Sequence, residues 1–180
     1  MTVPGGYPTR ARWAPPGTAR PVDGAAEAVA AVAELAETGA AVIKVALPDP
    51  LVDALAESVV AVPTLHIDPS PARRAGVRRF VARGGRVVYG TDLGNQGPPP
   101  GVDTEELRLL VEAGLEPGQA LAAATSLAAD HLGVAGLGRV APGATADLLL
   151  VDGDPLADLN ALSRVRLVTR DGRVAGNSRP

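Results

Sequence analysis

The chain has 180 residues and a formal net charge of −3, with 33 Ala, 22 Val and 21 Leu but only one Phe, one Trp and two Tyr. The absence of cysteine excludes a disulfide scaffold, a thiolate metal site and a thiol nucleophile, and two histidines, His66 and His131, cannot supply a three-imidazole centre. The acidic balance and scarce aromatics argue against a nucleic-acid partner, and no apolar run has the length of a membrane span or the setting of a signal peptide, so a cytoplasmic protein is expected.

Residues 1–22, rich in Pro, Gly and Thr, read as an irregular loop or arm, with Trp13 as the side chain expected to dock it. Asp23 is placed to cap an Ala-rich helix over 25–38, which Gly39 closes. The run AAVIKVAL (40–47) follows at once and has the continuous apolar character of a buried parallel strand. A short helix over 51–57 and a strand over 59–65 come next, with Pro63 marking a strand end. A basic helix over 73–83 stops at Gly84-Gly85, and RVVY (86–89) returns to strand. Helix and strand thus alternate as in βα units around a parallel sheet.

After a Gly/Pro loop over 94–101, Asp103-Thr104-Glu105-Glu106 spells a capping box for a helix that ends at Gly114. Pro117 suits a first helical position, and one helix is expected over 118–132. From about residue 136 short strands and turns replace this pattern, and Asp171-Gly172 marks a tight hairpin. The division expected is a β/α region over 1–135 and a small β region over 136–180.

Lys44, the only lysine, falls inside a predicted buried strand. Such a lysine either reaches solvent along its stem or has its amine used chemically, and the chain alone leaves the two readings even. Asp92 stands just past the C-terminal end of the strand RVVYGT, where barrel enzymes keep catalytic groups. There it is either a general base or metal ligand, or an Asp satisfying its own turn, and the strand context favours the first. His66, ending AVPTLHID near Asp68, reads more readily as a strand-end hydrogen-bonding residue than as a ligand. His131 sits where it complements a helix dipole. GLGRVAPG lacks the strand and helix that a phosphate-binding glycine loop needs.

Together these segments resemble the amidohydrolase superfamily, and specifically its imidazolonepropionase-like branch. The C-terminal run ATSLAADHLGVAGLGRVAPGATADLLLVDGDPL, followed by VRLVTRDGRVA, is similar to that family's closing block. YGTDLGN resembles the eighth-strand segment carrying the catalytic aspartate, which falls on Asp92, and AAVIKVAL resembles the fourth-strand segment whose lysine bridges two metals, which falls on Lys44. The resemblance implies an α/β fold: a partial (β/α) TIM-barrel-like metal-dependent hydrolase fold with a small C-terminal β piece belonging to a composite β-sandwich. It also implies Zn2+ or another divalent metal, and hydrolysis of non-peptide C–N bonds in cyclic or small amides. Asp92 would be catalytic, and Lys44 and Asp92 metal ligands, with His66 a weaker third candidate.

The family's first-strand His-x-His pair is absent, and its fifth- and sixth-strand histidines have no counterpart. Three strong strands can be counted where a closed barrel has eight, and such a barrel runs to about 250 residues. The chain therefore reads as a truncated, internally deleted family member with weak or absent activity by itself on a small-molecule amide. The alternative is a non-catalytic remnant or interaction subunit that self-associates or completes a barrel with another chain. A third reading, a Schiff base on Lys44 without metal, has no carbonyl-substrate signal behind it.

Overall fold

The computed structural model describes residues 1–6, 8–39, 59–94, 98 and 100–177. The expected strand over 40–47, with Lys44, and the expected helix over 51–57 lie outside the described residues.

The N-terminal arm folds back on itself. Thr2 N–H donates to Arg20 O (3.0 Å) and Val22 N–H to Thr2 O (2.8 Å), a parallel bridge that brings Met1 and Val22 together. These two pack with Ala28, Ala31 and Val32 of helix α1 (Ala25–Glu37). The docking residues are thus Met1 and Val22, whereas Trp13, the expected anchor, is 65% exposed. Helix α1 is capped at Gly24 and not at Asp23; Asp23 instead turns its backbone N–H to the Glu27 carboxylate (2.6 Å). Gly39 ends the helix with φ 87°, as its sequence position predicts.

Strands β1 (Val60–Ala61) and β2 (Arg86–Val87) pair in parallel, Val60 opposite Arg86 and Ala61 opposite Val87. Both are shorter than their apolar runs suggest. Val62-Pro63 interrupts the first, since proline offers no N–H to the ladder. In the second, Val88 still donates to Ala61 O (2.9 Å), but Tyr89 N–H turns to Ala123 O (3.0 Å). Helix α2 (Pro71–Ala82) joins them. Ser70 caps it, Pro71 takes the first-turn position whose N–H needs no partner, and this start precedes the expected Arg73. At its far end Gly85 passes so close to Phe80 that a Cβ there would sit 2.4 Å from the ring.

Helix α3 (Thr104–Glu112) and helix α4 (Pro117–Ala124) cover the same core. Phe80, Leu65, Val87, Leu107, Leu110 and Ala120 form its centre. Full burial of each large side chain contributes about 1.5–3 kcal/mol.

The single helix expected over 118–132 is broken. Thr125 (φ −131°, ψ −93°) separates α4 from helix α5 (Ser126–His131). Gly138 lies against that break, with its would-be Cβ 2.4 Å from Thr125 O, so the following loop occupies the space a straight helix would need.

The C-terminal region is an antiparallel meander, β3 (Leu149–Val151), β4 (Val165–Arg170) and β5 (Arg173–Asn177), with a 3-10 helix at Leu159–Ser163 before β4. Asp171 (φ 50°) and Gly172 (φ 72°) form the expected tight turn between β4 and β5. The architecture is mixed α/β, and the described residues form no closed barrel. Among them no helix is long and apolar enough to cross a membrane.

Candidate active site

The parallel pair directs both chains toward one end of the sheet, and polar side chains gather past those ends. Thr64 takes a left-handed turn (φ 49°), uncommon for a β-branched residue. The turn sends Leu65 fully into the core and leaves His66 at its rim, with 26% of its side chain exposed.

His66 is held twice by the first turn of α3. Its ring Nδ1 lies 2.6 Å from Asp103 Oδ2, and its backbone N–H donates to Glu106 Oε2 at 2.6 Å. Asp103 and Glu106 are 1% and 0% exposed. The other Asp103 oxygen, Oδ1, accepts from Glu105 N–H (3.0 Å) and Glu106 N–H (3.3 Å), the expected N-cap.

The second half of the expected capping box does not form. Glu106 turns away to the backbone N–H groups of Leu65 and His66, and Asp103 N–H is taken by the Tyr89 hydroxyl at 2.8 Å. The reason is tertiary: the N–H groups of Leu65 and His66 beyond β1 need an acceptor, and among the described residues no backbone carbonyl is bonded to them as in a ladder. His66 therefore pairs with Asp103 and not with its sequence neighbour Asp68, which accepts from Ser70 N–H (3.2 Å).

Burial raises the Glu106 carboxyl above the ordinary range, and the nearby Asp103 charge adds to this, while the N–H donors of Leu65 and His66 and the His66 ring oppose it. Among the described residues its Oε1 has no hydrogen-bond partner. Burial likewise raises Tyr89.

Asp92 follows β2, where the sequence puts it, and is exposed in a left-handed conformation (φ 52°) that Asp tolerates better than most residues. His131 ends α5, as its helix-dipole reading requires. Among the described residues no three His, Cys, Asp or Glu side chains are grouped to hold a metal ion.

Sequence reasoning missed Asp103 and Glu106 as partners of His66, and Tyr89 as the partner of Asp103. One signal was available: Glu106 shares a helix face with Leu110 and Ala113, so a carboxylate had to enter the core. The Tyr89–Asp103 contact has no local signal.

A model of the Amidohydrolase family matches residues 12–175. Among solved structures, a putative prolidase from Bifidobacterium longum is 37% identical over 61% of this chain and 28% of its own, with a TM-score of 0.55. A crystal structure of an amidohydrolase is 28% identical, covering 74% of this chain and 38% of its own, with a TM-score of 0.58. A Xaa-Pro dipeptidase with bound methionine in its active site shares the fold at 22% identity and a TM-score of 0.63, covering 88% of this chain and 50% of its own. The chain thus spans between 28% and 50% of the length of these three structures. No protein of curated function matches it. With the family match running through the His66 cluster, Asp92 and the closing meander alike, the chain belongs to the amidohydrolase family.

Proposed function

We propose that this chain carries part of a hydrolase site for the C–N bonds of cyclic or small amides, in the imidazolonepropionase-like branch of its family, with Asp92 as the catalytic residue. The observation that carries this reading is the place of Asp92: exposed, just past the end of the parallel strand β2, inside the family match. A carboxylate there can accept the proton of an attacking water and return it to the leaving nitrogen, a role typically worth 10²–10⁴ in rate. The meander β3–β5 is read as the C-terminal part of a composite β-sandwich, making 136–180 a region distinct from 1–135.

The family is generally metal-dependent, and the resemblance assigns Lys44 and Asp92 to the metal. The grouped side chains among the described residues do not by themselves fit a metal centre. His66, the third candidate, has its Nδ1 engaged by Asp103. The role given to Asp92 therefore rests on its own carboxylate.

The test is hydrolysis of a panel of cyclic amides, N-acylated amino acids and Xaa-Pro dipeptides by the purified chain. Turnover that drops at least about 100-fold in Asp92→Asn supports the reading. Equal turnover in both proteins, or none in either, defeats it.

A further inference from the structure

We propose that Tyr89, His66 and Asp103 are positioning residues that form a latch across the neck of the segment from Gly90 to Val102, and thereby fix the placement of Asp92. The catalytic importance of that placement rests on the function proposed above; the latch itself does not.

Tyr89 is the last residue before the segment and Asp103 the first after it. The phenol oxygen of one accepts the backbone N–H of the other at 2.8 Å, so the two ends meet through a single hydrogen bond. Neither end is free to shift. Tyr89 N–H is held by Ala123 O of α4 at 3.0 Å. Asp103 is held through its carboxylate, Oδ1 by the first turn of α3 and Oδ2 by His66 Nδ1.

His66 comes from the chain beyond β1, so three separate stretches of sequence converge on the neck. His66 is in turn fixed by Glu106, which accepts its backbone N–H.

A steric contact closes the same junction. A Cβ on Gly90 would sit 2.4 Å from Val62 Cγ1, so the stretch beyond β1 presses directly on the first residue of the segment. Gly90 carries no positive φ, which makes this a packing requirement and not a conformational one.

The choice of partners is informative as well. A helix that needed only an N-terminus would use Glu106 to close its own capping box on Asp103 N–H. Here that N–H goes to the residue three positions before Asp92, and the helix cap becomes a clasp on the strand end. Asp92 is two residues beyond Gly90, within reach of any displacement of the neck.

The experiment is amide hydrogen exchange on the full chain, following Gly90–Gly94 and Gly101–Asp103 in the wild type, Tyr89→Phe, His66→Ala and His66→Asn, with thermal unfolding of each. Tyr89→Phe removes one oxygen and keeps the ring, so it remains informative even if His66→Ala folds poorly. The expected result is exchange roughly three- to tenfold faster at these positions in Tyr89→Phe and His66→Ala, with β3–β5 unchanged. His66→Asn, whose amide N–H can replace the ring donor to Asp103, should return exchange to within about twofold of wild type.

Wild-type exchange at the neck in both Tyr89→Phe and His66→Ala overturns the latch, as does acceleration spread evenly over β3–β5. Where the wild type turns over an amide, Tyr89→Phe should lower kcat with KM unchanged, and an unchanged kcat overturns the positioning role. A loosened neck in a chain with no turnover leaves the latch standing and removes the hydrolase reading. Turnover that needs Asp92 beside an undisturbed neck does the reverse.

Discussion

Glu106 and His66 are forty residues apart in the chain and meet through a 2.6 Å hydrogen bond from the His66 backbone N–H to Glu106 Oε2. The bond ties the chain beyond β1 to helix α3 at a point where, among the described residues, no strand ladder continues. It also puts a carboxyl group where water does not reach, and this sets its chemistry.

Because burial raises the Glu106 carboxyl, the folded state binds its proton more tightly than the unfolded chain does. Its contribution is fully present below the unfolded value near 4.5 and is lost as pH rises through the higher folded value. Stability measured by urea titration should therefore fall with rising pH across that window. Glu106→Gln, which keeps an acceptor oxygen without the charge, should flatten this fall. Glu106→Leu leaves the N–H groups of Leu65 and His66 unpaired and should cost about 2–4 kcal/mol below that window, the cost shrinking as pH rises through it. A Glu106→Gln protein with the wild-type pH slope would show that another group sets it.

Two glycines separate backbone conformation from crowding. Gly143 has φ 82° and open space around its would-be Cβ, whereas Gly138 has φ 72° and the Thr125 carbonyl oxygen at 2.4 Å. Gly143→Ala should cost about 1 kcal/mol, the ordinary penalty for an alanine in the left-handed region. Gly138→Ala carries that penalty plus displacement of the α4–α5 break, and should lose about 2–4 kcal/mol. Equal midpoints in guanidinium would mean the loop yields freely at Thr125.

Gly85→Ala tests the packing of Phe80. The added carbon meets the ring at 2.4 Å and the Phe80 carbonyl oxygen at 2.7 Å, and the backbone atom cannot swing aside. A loss of about 1–3 kcal/mol is expected, as for other overpacked cores. A melting temperature within a degree of wild type would mean α2 shifts without penalty.

What the sequence disclosed follows the range of the interactions involved. Gly39, Ser70-Pro71, Asp103 and Asp171-Gly172 act within four residues, and all except the Ser70-Pro71 start of α2 were legible as turns or caps. Asp92 past the end of β2 followed from counting along one strand. The break at Thr125 was hidden because it depends on Gly138, thirteen positions later, and Ala-rich sequence on both sides continues the helical pattern. The His66 partnership was hidden for the same reason. Asp68 is nearer in sequence, but Asp103 is the carboxylate that the fold brings to Nδ1, and a capping motif explains Asp103 so well locally that nothing signals a second role.

That second role can be separated from the first by substituting Asp103 itself. Asp103→Ala removes both the helix cap and the contact with His66. The cap alone is worth about 0.5–2 kcal/mol, and a hydrogen bond to a charged group about 1.5–3 kcal/mol, reduced here because His66 is partly exposed. A combined loss of about 2–4 kcal/mol is expected. Asp103→Ser keeps an oxygen that can accept from the first helical N–H groups but is too short to reach the imidazole. It should recover about half of that loss in denaturant midpoint while leaving the His66 ring resonances by NMR as perturbed as in Asp103→Ala. Full recovery by serine would mean that the 2.6 Å contact adds nothing to the cap, and His66 would then be a bystander at the rim of the core.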